Sequence, residues 1–361
     1  MRILHFISSP AAGGAETYVR DLSILMRQKG HDVHVVFLQT AGESGRDLEF
    51  EREFLASLES VSITYSFIGK EARRKPWLGI FRLRKAVRSF KAEVVHCHLY
   101  YALLFSFFVF KVPILYTHHS FKLGLPKFFY HLFDRKVKVY IAICSACKGL
   151  LYGNNRTVVQ INNAVSKGRV RATKLEGRDS EADVTCVFVG SLRAPKNLVL
   201  MLKAFSEVAE RNVRLLIVGE GPDGSELKQL SASLGIDQKV EFLGNRSNVN
   251  EILAKSDVFL MSSAWEGLPI ALIEATLAGL PVIVTDVGGC AEVVHTCANG
   301  FVVDSLEVHD YAMALRKMVG DAELRASFSR NALAFSGVFE IEQAVDKHLS
   351  LYQEVVSVNF L

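Results

Sequence analysis

Two acids, Glu266 and Glu274, stand on either side of a Gly-Leu-Pro turn in the otherwise apolar run WEGLPIALIEA. Carboxylates accept hydrogen bonds from hydroxyls, so a spaced pair suits a ligand rich in them. The preceding VFLMSS reads as a strand that ends just before Glu266, and Pro269 is expected as the first helical residue, where its missing N–H costs nothing. The free N–H groups of Ile270 and Ala271 would then point out of a helix start carrying a partial positive charge, a site for an anion such as a diphosphate. Glu266 in the loop and Glu274 on the second turn could each reach a sugar, a hexose on one side and a ribose on the other. Taken as an isolated pair, they would equally serve as a helix-start acid and an exposed helix residue.

Other residues invite chemistry less strongly. Gly13 and Gly14 lie in SPAAGGA, a small-residue loop that comes after an apolar run and opens a helix-like stretch; backbone can approach a ligand closely there, but the loop is not a GxGxxG. Cys97 lies between His96 and His98, and Cys144 and Cys147 form a lone CxxC. No second CxxC or spaced His pair completes a zinc site in the sequence, so no metal is expected and the six cysteines read as buried, reduced thiols.

Patterning defines the elements that must position these residues. A chain of 361 residues, half of them hydrophobic, is long for one core and comfortable for two domains. In residues 1–165 the apolar runs RILHFIS, HVVFLQ, VSITYSFI, EVVHCHL, PILYTHH and VYIAIC alternate with helix-length segments. Ser166 to Asp183 is polar and aperiodic and reads as a linker. The alternation then restarts with TCVFVGSL, RLLIVGEG, VEFLG, VFLMSS and PVIVTD. Such regular alternation predicts two doubly wound parallel-sheet domains, 1–165 and 184–338, with ligands at the carboxyl ends of the strands in the crevice between them.

The ordered series VGSLRAPKN, LLIVGEGPDGSEL, VEFLGNRSNVNEIL, SDVFLMSS and SAWEGLPIALIEATLAGLPVIVTDVGGCAEVV resembles the donor domain of family 4 of the retaining nucleotide-sugar glycosyltransferases, which have the GT-B fold. GGAET, VVHCHL and ILYTHHS extend the resemblance, more loosely, through the amino half. The resemblance implies that Glu266, with the amides of Gly267 and Leu268, binds the donor sugar, and that Glu274 binds the ribose. Lys196 matches the family lysine that stabilises the leaving diphosphate; Gly190 matches a family glycine, but Ser191 stands where an arginine often comes next, and Arg193 is the candidate substitute. His118 matches the active-site histidine, with His119 an adjacent rival, while His96 and His98 shape the acceptor side or stabilise the sheet edge. Asn245 and Arg246 fall where the family contacts the base, expected to be uridine, and Gly13 and Gly14 beneath the donor phosphates.

The same resemblance implies a retaining, metal-independent hexosyltransferase that needs no cofactor, and the chain has no Asp-x-Asp to hold a divalent ion. It would move a hexose or N-acetylhexosamine from a nucleotide sugar to a glycan or lipid-linked acceptor of a bacterial surface polysaccharide. A non-catalytic, membrane-associated scaffold is the alternative.

Charge sharpens the partner expectation. Residues 1–165 hold 23 Lys and Arg against 12 Asp and Glu, and the remainder 19 against 26. Lys70 to Lys91 alone contains nine basic residues and one acid, with Ile80, Leu83, Val87 and Phe90 on one helical face and Arg82, Lys85, Arg88 and Lys91 opposite. That pattern suits either a packed helix with a solvated basic face or docking on anionic lipid, helped by the aromatics of LGLPKFFYHLF. No apolar run is long enough for a membrane helix and the start is too short for a secretory signal, so a cytoplasmic protein, peripheral on the inner face of the membrane, is expected. No nucleic-acid reader motif is present. The amphipathic tail FEIEQAVDKHLSLYQEV is expected to return, over about residues 340–355, to the amino domain.

Overall fold

The computed structural model describes residues 1–120, 122–151, 157–170, 172, 184–209 and 212–358. The chain divides into two compact units, Met1–Ala164 with Ile341–Leu361, and Val165–Glu340.

The first unit is built on seven strands, β1 (Arg2–Ile7), β2 (Asp32–Phe37), β3 (Thr64–Phe67), β4 (Val94–Cys97), β5 (Ile114–His118), β6 (Val137–Ala142) and β7 (Val158–Gln160), in the spatial order β3-β2-β1-β4-β5-β6-β7. Every pairing is parallel. The central strands β1, β4 and β5 are buried almost throughout, which explains why they read as continuous apolar runs: helices cover both faces of a parallel sheet. The C-terminal helix Ile341–Val358 belongs to this unit and packs on the helix Gly14–Gln28, with Tyr18 Oη 2.9 Å from His348 Nε2 and an ion pair between Lys29 and Asp346.

The second unit repeats the plan with β8 (Val184–Val189), β9 (Val213–Val218), β10 (Val240–Gly244), β11 (Val258–Met261), β12 (Val282–Thr285) and β13 (Gly300–Val303), in the order β10-β9-β8-β11-β12-β13. Its core joins Phe188, Met201, Phe205, Leu215, Leu260 and Tyr311, all fully buried. In each sheet the first strand lies between the second and the fourth. The order therefore reverses between β1 and β4 and again between β8 and β11, where a doubly wound fold opens for ligands.

Strand reading from sequence omitted β7 and β13, which are only three and four residues long. Of the stretch read as a linker, Lys167–Arg169 forms a 3-10 turn, and Val165 bridges Glu340 within the second unit. Residues 171 and 173–183 of that stretch lie outside the described residues.

Candidate active site

The carboxyl ends of β8 and β11 bring two residues far apart in sequence into contact. After β8 the chain runs through Gly190, Ser191 and Arg193 into a 3-10 turn, Ala194–Lys196, and after β11 through Ser262 and Ser263 to Glu266. Lys196 Nζ lies 2.5 Å from Glu266 Oε1, and Ser263 Oγ donates to the same oxygen at 2.7 Å. Backbone locks the two loops together: Ala264 N donates to Pro195 O at 2.8 Å, and Ser262 Oγ to Asn197 O at 3.0 Å. Both side chains keep some access to water, 19% for Lys196 and 11% for Glu266, so the charges are accessible to a ligand.

The Glu266–Gly267 backbone is also packed from behind. Gly288 adopts φ +57°, and a Cβ there would come within 2.2 Å of Glu266 O; Gly289 N donates to Gly267 O at 2.7 Å. Only glycine permits both that conformation and that approach. Gly267 and Leu268 thus succeed Glu266 on a loop held from two sides.

The next helix runs Ile270–Leu277 with Pro269 as its N-cap, so Pro269 stands one position before the helix instead of opening it. Its φ of −69° and ψ of 125° are extended, and the first helical N–H groups remain those of Ile270 and Ala271. No side chain caps this start and no acid lies in its first turn. Glu274, on the second turn, accepts from Arg169 Nη2 at 2.9 Å. Sequence reading missed Arg169 because it lies in the aperiodic polar stretch; nothing local marks it.

The base-contact candidates lie on the loop after β10. Asn245 and Arg246 are exposed, and Asn245 Nδ2 donates to Glu220 Oε2 at 3.2 Å. Gly219 N donates to Gly244 O at 2.8 Å, which ties the loop after β9 to that after β10. Ser191 and Arg193 are exposed in the loop that carries Lys196.

In the first unit, Gly13 is the N-cap of the helix starting at Gly14. Glu16 arches back over it: a Cβ on Gly13 would meet Glu16 Oε2 at 2.3 Å, and Ser8 Oγ donates to Glu16 Oε1 at 2.5 Å. His118, at the end of β5, is buried with Nδ1 2.9 Å from Tyr116 Oη, and its Nε2 has no hydrogen-bond partner among the described residues. Burial pushes His118 down to about 4, against a backbone contact with Ser120 that acts the other way. His119 turns elsewhere, its Nε2 3.1 Å from His98 Nδ1.

One sequence expectation needs correction here. β4 is a central strand, so His96 and His98 do not stabilise a sheet edge. His5 of β1 joins them, its Nδ1 3.0 Å from His98 Nε2. Cys97 points to the opposite face, as alternation requires, and contacts Ser106 Oγ at 3.1 Å. The overlooked signal was a histidine inside the otherwise apolar RILHFI.

Outside the strand ends, the helix Pro76–Phe90 buries Gly79, Leu83 and Val87 and leaves Trp77 and Phe81 about two-thirds exposed, beside exposed Lys85 and Arg88. Arg82 stays on the solvated face, where it bonds the equally exposed Glu71 Oε1 at 2.5 Å. Phe110, also exposed, lies under Arg84 at 5.9 Å and Lys136 at 4.1 Å from its centroid.

Comparison with known proteins identifies the family. Residues 174–335 match the family model described as Glycosyl transferases group 1, and residues 12–166 match Glycosyltransferase Family 4. The chain belongs to glycosyltransferase family 4 and has the GT-B fold. It is 34% identical to the N-acetyl-alpha-D-glucosaminyl L-malate synthase of Bacillus anthracis over 49% of this chain and 47% of that protein. It is 27% identical, over 98% of this chain and 99% of the other, to the Campylobacter jejuni enzyme named GalNAc-alpha-(1->4)-GalNAc-alpha-(1->3)-diNAcBac-PP-undecaprenol alpha-1,4-N-acetyl-D-galactosaminyltransferase. The chain spans about half the length of the first curated relatives it matches. Among solved structures, Anabaena Alr3699/HepE in complex with UDP and glucose superposes with a TM-score of 0.81 at 19% identity, covering 98% of this chain and 99% of that one.

Proposed function

We propose that this protein is a retaining glycosyltransferase that moves a hexose or N-acetylhexosamine from a UDP-sugar to a glycan or lipid-linked acceptor in bacterial surface polysaccharide or lipopolysaccharide synthesis. The observation that carries the reading is the Lys196–Glu266 pair beside an uncapped helix start at the β8/β11 opening. Cleaving a sugar–phosphate bond leaves charge on a diphosphate. The amides of Ile270 and Ala271 and the Lys196 ammonium are the groups available to neutralise it. On donor binding, Lys196 turns from Glu266 to the phosphate, and Glu266 exchanges its cation for sugar hydroxyls, with the amides of Gly267 and Leu268 alongside. Glu274, already oriented by Arg169, takes the ribose hydroxyls. Gly190, Ser191 and Arg193 line the same loop, and Asn245 and Arg246 meet the uracil.

No divalent ion is assigned to the transfer. The acceptor hydroxyl attacks on the face the leaving group departs from; its oxygen bonds the anomeric carbon as the carbon–phosphate oxygen bond breaks, and its proton passes to that phosphate. The domain assignment goes with this: the first unit binds acceptor and the second binds donor. Incubating the protein with labelled UDP-sugars and a polyprenyl-linked acceptor should release UDP and form a linkage of the donor's own anomeric configuration. An inverted linkage would overturn retention, and absence of nucleotide binding by calorimetry would overturn the whole assignment.

The acceptor reading extends to the membrane. No helix among the described residues is long and apolar enough to cross a bilayer. The Trp77, Phe81 and Phe110 surface, interleaved with Arg84, Lys85, Arg88 and Lys136, has the composition of an interfacial anchor, aromatic rings for the acyl boundary and cations for anionic headgroups. We assign the Lys70–Lys91 segment to peripheral docking on that ground. Flotation should show binding to vesicles containing phosphatidylglycerol that weakens with salt and in a Trp77→Ser/Phe81→Ser variant. Equal recovery with neutral vesicles would refute the electrostatic part.

A further inference from the structure

The β1/β4 opening of the first unit holds a concentration of imidazoles that the transfer reaction does not use. β1 and β4 pair in register with His5 opposite His96, and His98, two residues on, shares their face. The three rings are 0–1% exposed. Their centroids are 4.0 Å apart for His96 and His98, 5.2 Å for His5 and His98, and 5.5 Å for His5 and His96. One nitrogen from each lies within 4.8 Å of the others.

We propose that His5, His96 and His98 form a metal site for a borderline divalent ion, Zn2+ foremost, which ties β1 to β4. A tetrahedral zinc with Zn–N distances of about 2.0–2.1 Å sets its ligand nitrogens roughly 3.3 Å apart. His5 Nδ1 and His98 Nε2, at 3.0 Å, already have nearly that spacing, and His96, with a nitrogen within 4.8 Å of theirs, completes the triangle by moving closer. An all-imidazole set suits zinc, copper or nickel and not magnesium or calcium, which take oxygen ligands.

The surroundings are those of bound imidazoles. With His98 Nε2 on the metal, its proton resides on Nδ1, which faces His119 Nε2 at 3.1 Å and can donate to it. His96 is held at one nitrogen by Tyr352 Oη (2.5 Å) and at the other by Thr117 Oγ1 (2.7 Å), so one contact can fix the ring while the other yields to the ion. Outer partners of this kind orient metal-bound histidines. His348 and Tyr352 of the C-terminal helix pack against His96, the His348 ring centroid 5.2 Å away and Tyr352 in direct contact.

The test uses the full-length protein after dialysis against a chelator. Titrated with Zn2+ in a calorimeter, it should bind one ion per chain, and Co2+ in its place should give the visible bands of a four-coordinate nitrogen site. Zinc should raise the melting temperature of the wild type. Binding should weaken at least tenfold in His5→Gln and in His98→Gln, while His131→Gln, which removes an exposed histidine, binds like the wild type. Wild-type protein that takes up no zinc, or triad variants that bind it undiminished, would overturn the proposal; the first result needs no variant to fold. Neither outcome bears on donor binding in the second unit, so nucleotide calorimetry on the same sample separates this site from the glycosyltransferase reading.

Discussion

The two sheets open at equivalent places, between β1 and β4 and between β8 and β11, and fill them with opposite chemistry. The second unit sets an ammonium and a carboxylate there, on loops beyond the strand ends where water still reaches both. The first sets imidazoles on and just beyond the strands themselves, buried from bulk water. Desolvation explains the division. A permanent charge inside a sheet costs several kcal/mol, whereas an imidazole escapes by giving up its proton. The helix starts differ in the same sense. Neither has a side-chain cap, but the one at Gly14 carries an acid, Glu16, in its first turn, while the one at Ile270 carries none.

Acid should separate the units most strongly. Burial holds His34 and His118, which lie outside the proposed metal triad, near 4 instead of 6.5. A lowered folded pKa means that the unfolded chain binds more protons between those values. The stability is therefore complete above about pH 6.5 and is lost as pH falls toward 4. At about 1.4 kcal/mol per unit, each histidine accounts for roughly 3 kcal/mol across that window. The described residues of the second unit include no buried histidine. Hydrogen exchange resolved by peptide should show the first unit opening as pH drops from 6.5 to 4 while the second holds; parallel loss in both would break the contrast.

Next in size is Lys196→Ala. If the ammonium stabilises departing diphosphate, turnover should fall on the order of 10²-fold or more, with the first unit's exchange protection unchanged. A near-normal rate would remove Lys196 from the reaction. Arg169→Ala should act more mildly, raising KM for the donor roughly fivefold with little change in kcat, because it only orients Glu274. An equal fall in kcat would mean that Arg169 acts on the reacting diphosphate itself. The smallest effects are local and should match across the units. Asp47 caps the Leu48–Glu59 helix of the first, and Asp321 the Ala322–Phe335 helix of the second. Replacing either with alanine should cost about 1 kcal/mol in denaturant unfolding.

Legibility depended on sequence distance. Glu266 and Glu274 lie within one loop and helix, so the spacing already specified their placement, with Pro269 displaced by one position. Arg169 stayed hidden because a polar, aperiodic stretch carries no local signal, and its partner lies 105 residues away. β7 and β13 were missed because three or four residues cannot establish a period. The exposed stripe of Trp77 and Phe81 was obscured by the basic residues among which it lies.

The sequence by itself determined the alternation of strands and helices, the family, and the acids, lysine and glycines expected to meet a nucleotide sugar, since each is written in short runs whose geometry the backbone enforces. Only the tertiary structure decided which residues stand together. Lys196 meets Glu266 because β8 and β11 are neighbours in the sheet, and His5 meets His96 because parallel register sets them side by side. Register and strand order are settled by the packing of whole layers, a sum over many contacts that no local stretch of chain contains.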